Sequence, residues 1–143
     1  NRGANFSLDP ASDNCLAGGK RSYHTIIPGF LLKDGAAVGP FGVMGAFMQP
    51  QGQTEILVNT LDYHMNPQEA LDAPRIQWIG GRRLELEREA GEAIADELRA
   101  MGHEVTVVDD RISMGRGQII WRGEDGVYTA GTEPRCDGAV AAW

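Results

Sequence analysis

Hydrophobic and polar positions alternate with a period of two in several short stretches of this chain, and with a helical period in others. Residues 25–32 (TIIPGFLL) read as a strand interrupted by Pro28-Gly29. Proline cannot donate to a strand ladder, so this segment is expected at a sheet edge or with a bulge. Lys33-Asp34-Gly35 is turn chemistry, which makes residues 36–43 the returning strand of a hairpin. Residues 75–79 and 83–87 form a second hairpin around Gly80-Gly81, in which Leu84 and Leu86 alternate with charged neighbours. Residues 104–108 (EVTVV) are a strand by β-branched content. A last hairpin joins 117–121 to 127–130 around Glu124-Asp125-Gly126.

A helix is predicted from Gln51 to Tyr63, with Ile56, Leu57, Thr60 and Leu61 on one broad apolar face. Asn66-Pro67-Gln68-Glu69 is a second helix start: asparagine caps, proline suits the first helical position, and Glu69 completes a capping box. Pro74 ends that helix early. Residues 89–101 carry the strongest helical pattern, with Ala90, Ile94, Leu98 and Met101 on one face and Gly102 at the C-cap. Residues 1–19 and 132–143 are irregular. Hairpins with helices between them predict an α+β fold, a mainly antiparallel sheet covered by helices.

Composition narrows the class. The 143 residues form one domain, 42% hydrophobic and 23% charged, without repeat, low-complexity tract or dividing linker. A net charge of −7 argues against nucleic acid and against an anionic membrane surface. No apolar run approaches the roughly 20 residues of a membrane span. Cys15 and Cys136 make no metal motif and read as two free thiols, a single disulfide being the other arrangement. His24, His64 and His103 lack metal-ligand spacing; surface or capping roles suit His64 and His103. No metal or cofactor is expected, and the compartment, cytoplasmic or periplasmic or secreted, is left open.

Three segments carry candidate chemistry. PFGVMGAFMQPQG (residues 40–52) sets Gly42, Gly45 and Ala46 between an apolar strand and a helix start. Such a turn can present backbone N–H groups to an anion or developing oxyanion, or simply pack a tight connection. Asp9, Asp13 and Asn14 either hold a substrate ammonium or form a solvated turn. Residues 20–25 (KRSYHT), basic and hydroxyl-rich, suit an anionic substrate group or a plain loop.

Together, NRGANFSLDP, GKRSYHTIIPG, GVMGAFMQPQGQ, NPQEALDAPR and GTEPRCDG, in that order, resemble the C-terminal portion of a γ-glutamyltranspeptidase small subunit, from Asn1 to about Gly138. The resemblance implies a four-layer αββα sandwich of the N-terminal-nucleophile (Ntn) hydrolase type. It also implies a threonine whose hydroxyl attacks the γ-glutamyl carbonyl while its own amine serves as base. By this resemblance Gly45 and Ala46 match the oxyanion-hole glycines, and His24 and Thr25 match a pair that binds the α-carboxylate. Asn14 falls where an acid holds the substrate ammonium, with Asp13 beside it. Three positions depart from the pattern: a histidine at 24, an alanine at 46 and a neutral amide at 14.

Asn1 cannot be the nucleophile, and no internal threonine has a free amine. The chain is therefore expected to be a fragment of the small subunit lacking its N-terminal threonine segment, inactive alone. Its partners would be the large subunit, the missing start of the small subunit and a small γ-glutamyl substrate, with glutathione the default donor. Exposed apolar strand faces would favour a homo-oligomer. A cephalosporin-acylase-like or poly-γ-glutamate-processing branch shares this chemistry, and a non-catalytic binding domain for an amino-acid-like ligand is the reading from another class.

Overall fold

A computed structural model describes residues 3–22 and 25–143 of the chain. Four strands, β1 (Gly29–Lys33), β2 (Ala36–Met44), β6 (Arg116–Arg122) and β7 (Tyr128–Thr132), form an antiparallel sheet in the order β1-β2-β6-β7. Asp34 and Gly35 turn the first hairpin with φ of 52° and 81°, the double left-handed conformation that matches strand twist. Two helices, α1 (Met48–Leu61) and α2 (Pro67–Asp72), cover one face of this sheet. Phe41 and Val43 of β2, with Ile119 and Trp121 of β6, meet Ile56, Ala70 and Leu71 in the core. The Phe41 and Trp121 rings are tilted at 57° with centroids 5.7 Å apart. The opposite face is uncovered and presents Phe30, Met44 and Ile120 to solvent.

The remaining strands, β3 (Ile76–Gly80), β4 (Arg83–Glu87) and β5 (Glu104–Val108), form a second sheet. β3 and β4 are antiparallel, but β4 and β5 run parallel because helix α3 (Glu92–Ala100) carries the chain back to the same end. The fold is thus α+β, mainly antiparallel with one parallel pair.

Several elements follow the sequence closely. Asn66 Oδ1 accepts from the N–H groups of Gln68 and Glu69, and Glu69 reciprocates at the Asn66 N–H, completing the capping box. Leu84 and Leu86 are buried on alternate positions of β4. Cys15 and Cys136 are free thiols.

Others differ. Of the first expected strand only residues 29–32 pair, in a strand that runs on to Lys33, with a bulge between Leu31 and Leu32. Helix α1 starts three residues before the expected Gln51, because Pro50 lies in the first turn, where no N–H donation is needed. The long helix expected from residue 89 is broken by Gly91 at φ 89° into a short 3-10 turn, Arg88–Ala90, followed by α3. Its expected apolar face is only partly covered: Ala90 and Leu98 are half-buried, Ile94 and Met101 are exposed, and the buried residue of α3 is Ala95. A small residue lets the helix lie close to a narrow sheet, where a longer side chain would hold it away. His103, expected in a surface or capping role, is half-buried, and its backbone N–H donates to Leu98 O at 3.0 Å at the end of α3.

Candidate functional site

The uncovered face of the four-stranded sheet floors an open groove of about 720 Å³. At one end β2 stops and the chain turns sharply into α1. Gly45 has φ of 145°, and a Cβ there would lie 2.9 Å from Gly115 Cα, so only glycine fits. Ala46 follows at φ 52°, a left-handed conformation that costs an alanine roughly 1–2 kcal/mol. Their carbonyls are committed to starting the helix: Gly45 O accepts from Met48 N at 2.9 Å, and Ala46 O from Gln49 N at 3.2 Å. Their N–H groups donate to no acceptor among the described residues. Two consecutive unsatisfied donors at the lip of a groove can stabilise an oxyanion.

Thr25 lines the same groove as Gly45 and Ala46. The irregular segment that carries it is tied to α1 by two amides one turn apart. Gln49 Nε2 donates to Thr25 O and Gln53 Nε2 to Ile27 O. Asp13 and Asn14 do not line the groove. They sit in a closed turn of the N-terminal arm, where Asn14 Nδ2 donates to Asn5 O at 2.8 Å and Lys20 Nζ to Asp13 O. Asp9 makes a local turn, its Oδ1 accepting from Ala11 N at 2.9 Å. His24 lies outside the described residues.

Behind the groove lies a buried ionic cluster that no local pattern announces. Arg75, Glu87, Glu133 and the Arg135 side chain are almost fully enclosed. Glu133 Oε2 accepts from Arg75 Nη2 at 2.8 Å and from Gly117 N at 2.5 Å, while its Oε1 accepts from Arg135 Nη1 at 2.7 Å. Arg135 also forks onto both oxygens of Glu87 and donates to the carbonyls of Leu71 and Ala73. Arg75 Nη1 donates to the carbonyls of Met114 and Gly115. Since Gly115 backs directly onto Gly45, the cluster braces the turn at the groove's end.

Three carboxyls face these two guanidiniums, and the third is the one out of balance. Burial pushes the Glu55 carboxyl up from 4.5 to about 7, although the Ile76 N–H and the Arg75 charge pull the other way. Its Oε2 lies 4.0 Å from Arg75 Nε and has no hydrogen-bond partner among the described residues. Burial and the neighbouring Arg135 charge lower Arg75 below the ordinary guanidinium value. Burial also opposes Arg135, but its hydrogen bonds to Glu87 and Glu133 outweigh that and hold it above. Both remain charged.

The sequence model described as gamma-glutamyltranspeptidase matches residues 1–143. The chain belongs to the gamma-glutamyltranspeptidase family. It is similar to the cephalosporin acylase of Bacillus halodurans, with 57% identity and a TM-score of 0.94 over 99% of this chain and 27% of that one. It is 38% identical to a glutathione hydrolase-like proenzyme of Bacillus subtilis, over 98% of this chain and 28% of that protein. The oxamate amidohydrolase proenzyme of Klebsiella pneumoniae is 35% identical, over 100% of this chain and 28% of its own length. The chain therefore spans little more than a quarter of these relatives. A gamma-glutamyltranspeptidase of Pseudomonas nitroreducens, 23% identical, shares the fold with a TM-score of 0.79 over 93% of this chain and 69% of that one.

Membership of the gamma-glutamyltranspeptidase family gives two of the sequence phrases a physical reading. NPQEALDAPR ends on Arg75, and GTEPRCDG contributes Glu133 and Arg135. The phrases are far apart in the chain and meet in one ion cluster.

Proposed function

We propose that this chain is the part of a larger amide-cleaving acyl-transfer enzyme that supplies the oxyanion donors and one wall of the acyl site. The observation that carries this reading is the strained Gly45-Ala46 turn, with two acceptor-free N–H groups at the lip of the groove. A threonine from outside residues 1–143 would attack the amide carbonyl, its own amine taking the hydroxyl proton. The oxyanion would rest on the Gly45 and Ala46 N–H groups until the C–N bond breaks and the leaving amine takes that proton. Water or an amino acid would then release the acyl group. Thr25 would hold the substrate's α-carboxylate beside them, with His24 as its partner in the pair.

γ-Glutamyl compounds, glutathione first, are the donors suggested by the family and by the Bacillus subtilis relative. A second reading, an acylase acting on acyl groups without an ammonium, is favoured by one observation. Asn14 is neutral and spends its amide on Asn5 O, and neither it nor Asp13 lines the groove. The rest of the proenzyme would cover the exposed sheet face; in the isolated chain a second copy would take its place, and sedimentation of the chain would show a dimer.

The full-length protein should release nitroaniline from γ-glutamyl- or acyl-p-nitroanilides, and the chain alone should not. In the full-length protein Thr25→Val should lower kcat/KM by roughly 1.5–3 kcal/mol of transition-state stabilisation, the worth of one hydrogen bond to a charged group. Turnover by the isolated chain would refute the missing-nucleophile reading. A full-length protein that binds amino acids yet cleaves no amide would mark a binding module instead.

A further inference from the structure

Helix α1 leaves the Gly45-Ala46 turn and is at once tied to the segment that carries Thr25. The ladder of the four-stranded sheet begins at Gly29, and Pro28 has no N–H to extend it, so residues 25–27 approach the sheet as irregular backbone. Their carbonyls take donors from the helix instead: Gln49 Nε2 donates to Thr25 O and Gln53 Nε2 to Ile27 O. A spacing of four puts both amides on one face of α1. Gln49 reaches further. Its Nε2 also donates to Ala46 O at 3.3 Å, a carbonyl that already accepts from Gln49 N at 3.2 Å. A primary amide carries two hydrogens on one nitrogen, so a single group holds two carbonyls together. Gln49 is buried, and a donor lost there leaves those carbonyls without water to replace it.

We propose that Gln49 and Gln53 are positioning residues: through their amides α1 sets where the Thr25 hydroxyl stands relative to the Gly45 and Ala46 N–H groups. The inference rests on the acyl-transfer reading above and names the residues that fix its geometry. Thr25 and Ala46 are separated in the chain by the whole β1-β2 hairpin, and the Gln49 amide closes that loop directly. Oxyanion donors and a substrate-holding hydroxyl act together only when both meet one substrate in register, and a misplacement of about 1 Å costs on the order of 100-fold. The two amides divide the work. Gln53 holds the Thr25 segment, whereas Gln49 holds that segment and the oxyanion turn at once.

A double-mutant cycle on the matured full-length enzyme tests this, with the γ-glutamyl- or acyl-p-nitroanilide that it cleaves. Methionine in place of glutamine keeps the length and the helix propensity of the side chain and removes the donors. Gln53→Met should lower kcat/KM roughly 3- to 10-fold, mainly through KM, and Gln49→Met roughly 5- to 30-fold with a fall in kcat as well. In the Thr25→Val background Gln53→Met should cost less than about twofold, because the hydroxyl it places is gone, while Gln49→Met should keep the kcat part of its loss. A glutamine that only stabilised the fold would give the same loss in both backgrounds. Losses that add fully in the cycle, or kcat and KM unchanged in both glutamine variants, would overturn the proposal and leave the acyl-transfer reading standing. Gln53→Met decides by itself if Gln49→Met does not fold. A parent enzyme that cleaves no amide would overturn the acyl-transfer reading, and the positioning role with it.

Discussion

Replacing Glu133 by glutamine changes one atom and tests whether the buried cluster holds the groove's end together. Each Glu133 oxygen serves two donors: Arg75 Nη2 and Gly117 N on one, Arg135 Nη1 and Arg135 N on the other. Whichever way the amide turns, its NH₂ faces two donors, and two guanidiniums lose a counter-charge in an enclosed site. Breaking a buried pair from one side costs about 3–5 kcal/mol. With a urea dependence of roughly 2 kcal/mol per molar, the unfolding midpoint should fall by about 2 M. Fluorescence is a suitable probe, since Trp121 on β6 is buried whereas Trp78 and Trp143 are exposed. The control is Asp109→Asn. Asp109 pairs with Arg88 through two hydrogen bonds, yet their side chains are 73% and 62% exposed. Water and salt screen that pair, so its midpoint should not move. If Glu133→Gln shifted the midpoint no further than Asp109→Asn, the argument that burial gives the cluster its weight would be wrong.

Three other outcomes follow from the same structure. Glu55 has a folded-state value of about 7 against 4.5, so its contribution is most favourable below about 4.5 and is lost as the pH rises through 7. Glu55→Gln should therefore match the parent near pH 4.5 and exceed it at pH 8 by roughly 3 kcal/mol, and a difference constant across denaturation curves from pH 5 to 8.5 would refute the assignment. Ala46→Gly should stabilise by roughly 0.5–1 kcal/mol in thermal unfolding, because relief of the left-handed φ outweighs the added freedom of the unfolded chain; a lower melting temperature would count against strain at this turn. Gly45→Ala combines a positive φ with a clash against Gly115 and should cost roughly 1–3 kcal/mol while reducing kcat in the full-length enzyme.

Much of the fold was legible in the chain because it is specified locally. The turns at Asp34-Gly35 and Gly80-Gly81, the capping box at Asn66 and the alternation of Leu84 and Leu86 depend on backbone preferences and near neighbours. The misplaced elements failed for reasons beyond that range. A helical period continues through Gly91, but the chain there adopts a conformation that ends one turn and starts another. Ile94 fits an apolar stripe, yet the narrow second sheet leaves it uncovered.

The candidate site divides along the same line. Small residues at Gly45 and Ala46 marked a turn able to offer N–H groups, and the ordered phrases marked the family. By itself, then, the sequence determined the local elements, the family and the position of that turn, since each is written in residues close together in the chain. Tertiary structure alone decided that Glu87 is enclosed although it continues a strand of alternating charges, and that Arg75, Glu133 and Arg135 converge on it or on one another. It alone brought Thr25 to the groove that Gly45 and Ala46 close, and left Asp13 and Asn14 out of it. The physical reason is that the energy of a charge depends on its surroundings in space: an arginine pair exposed to water is screened, whereas the same pair enclosed in the core holds distant segments together.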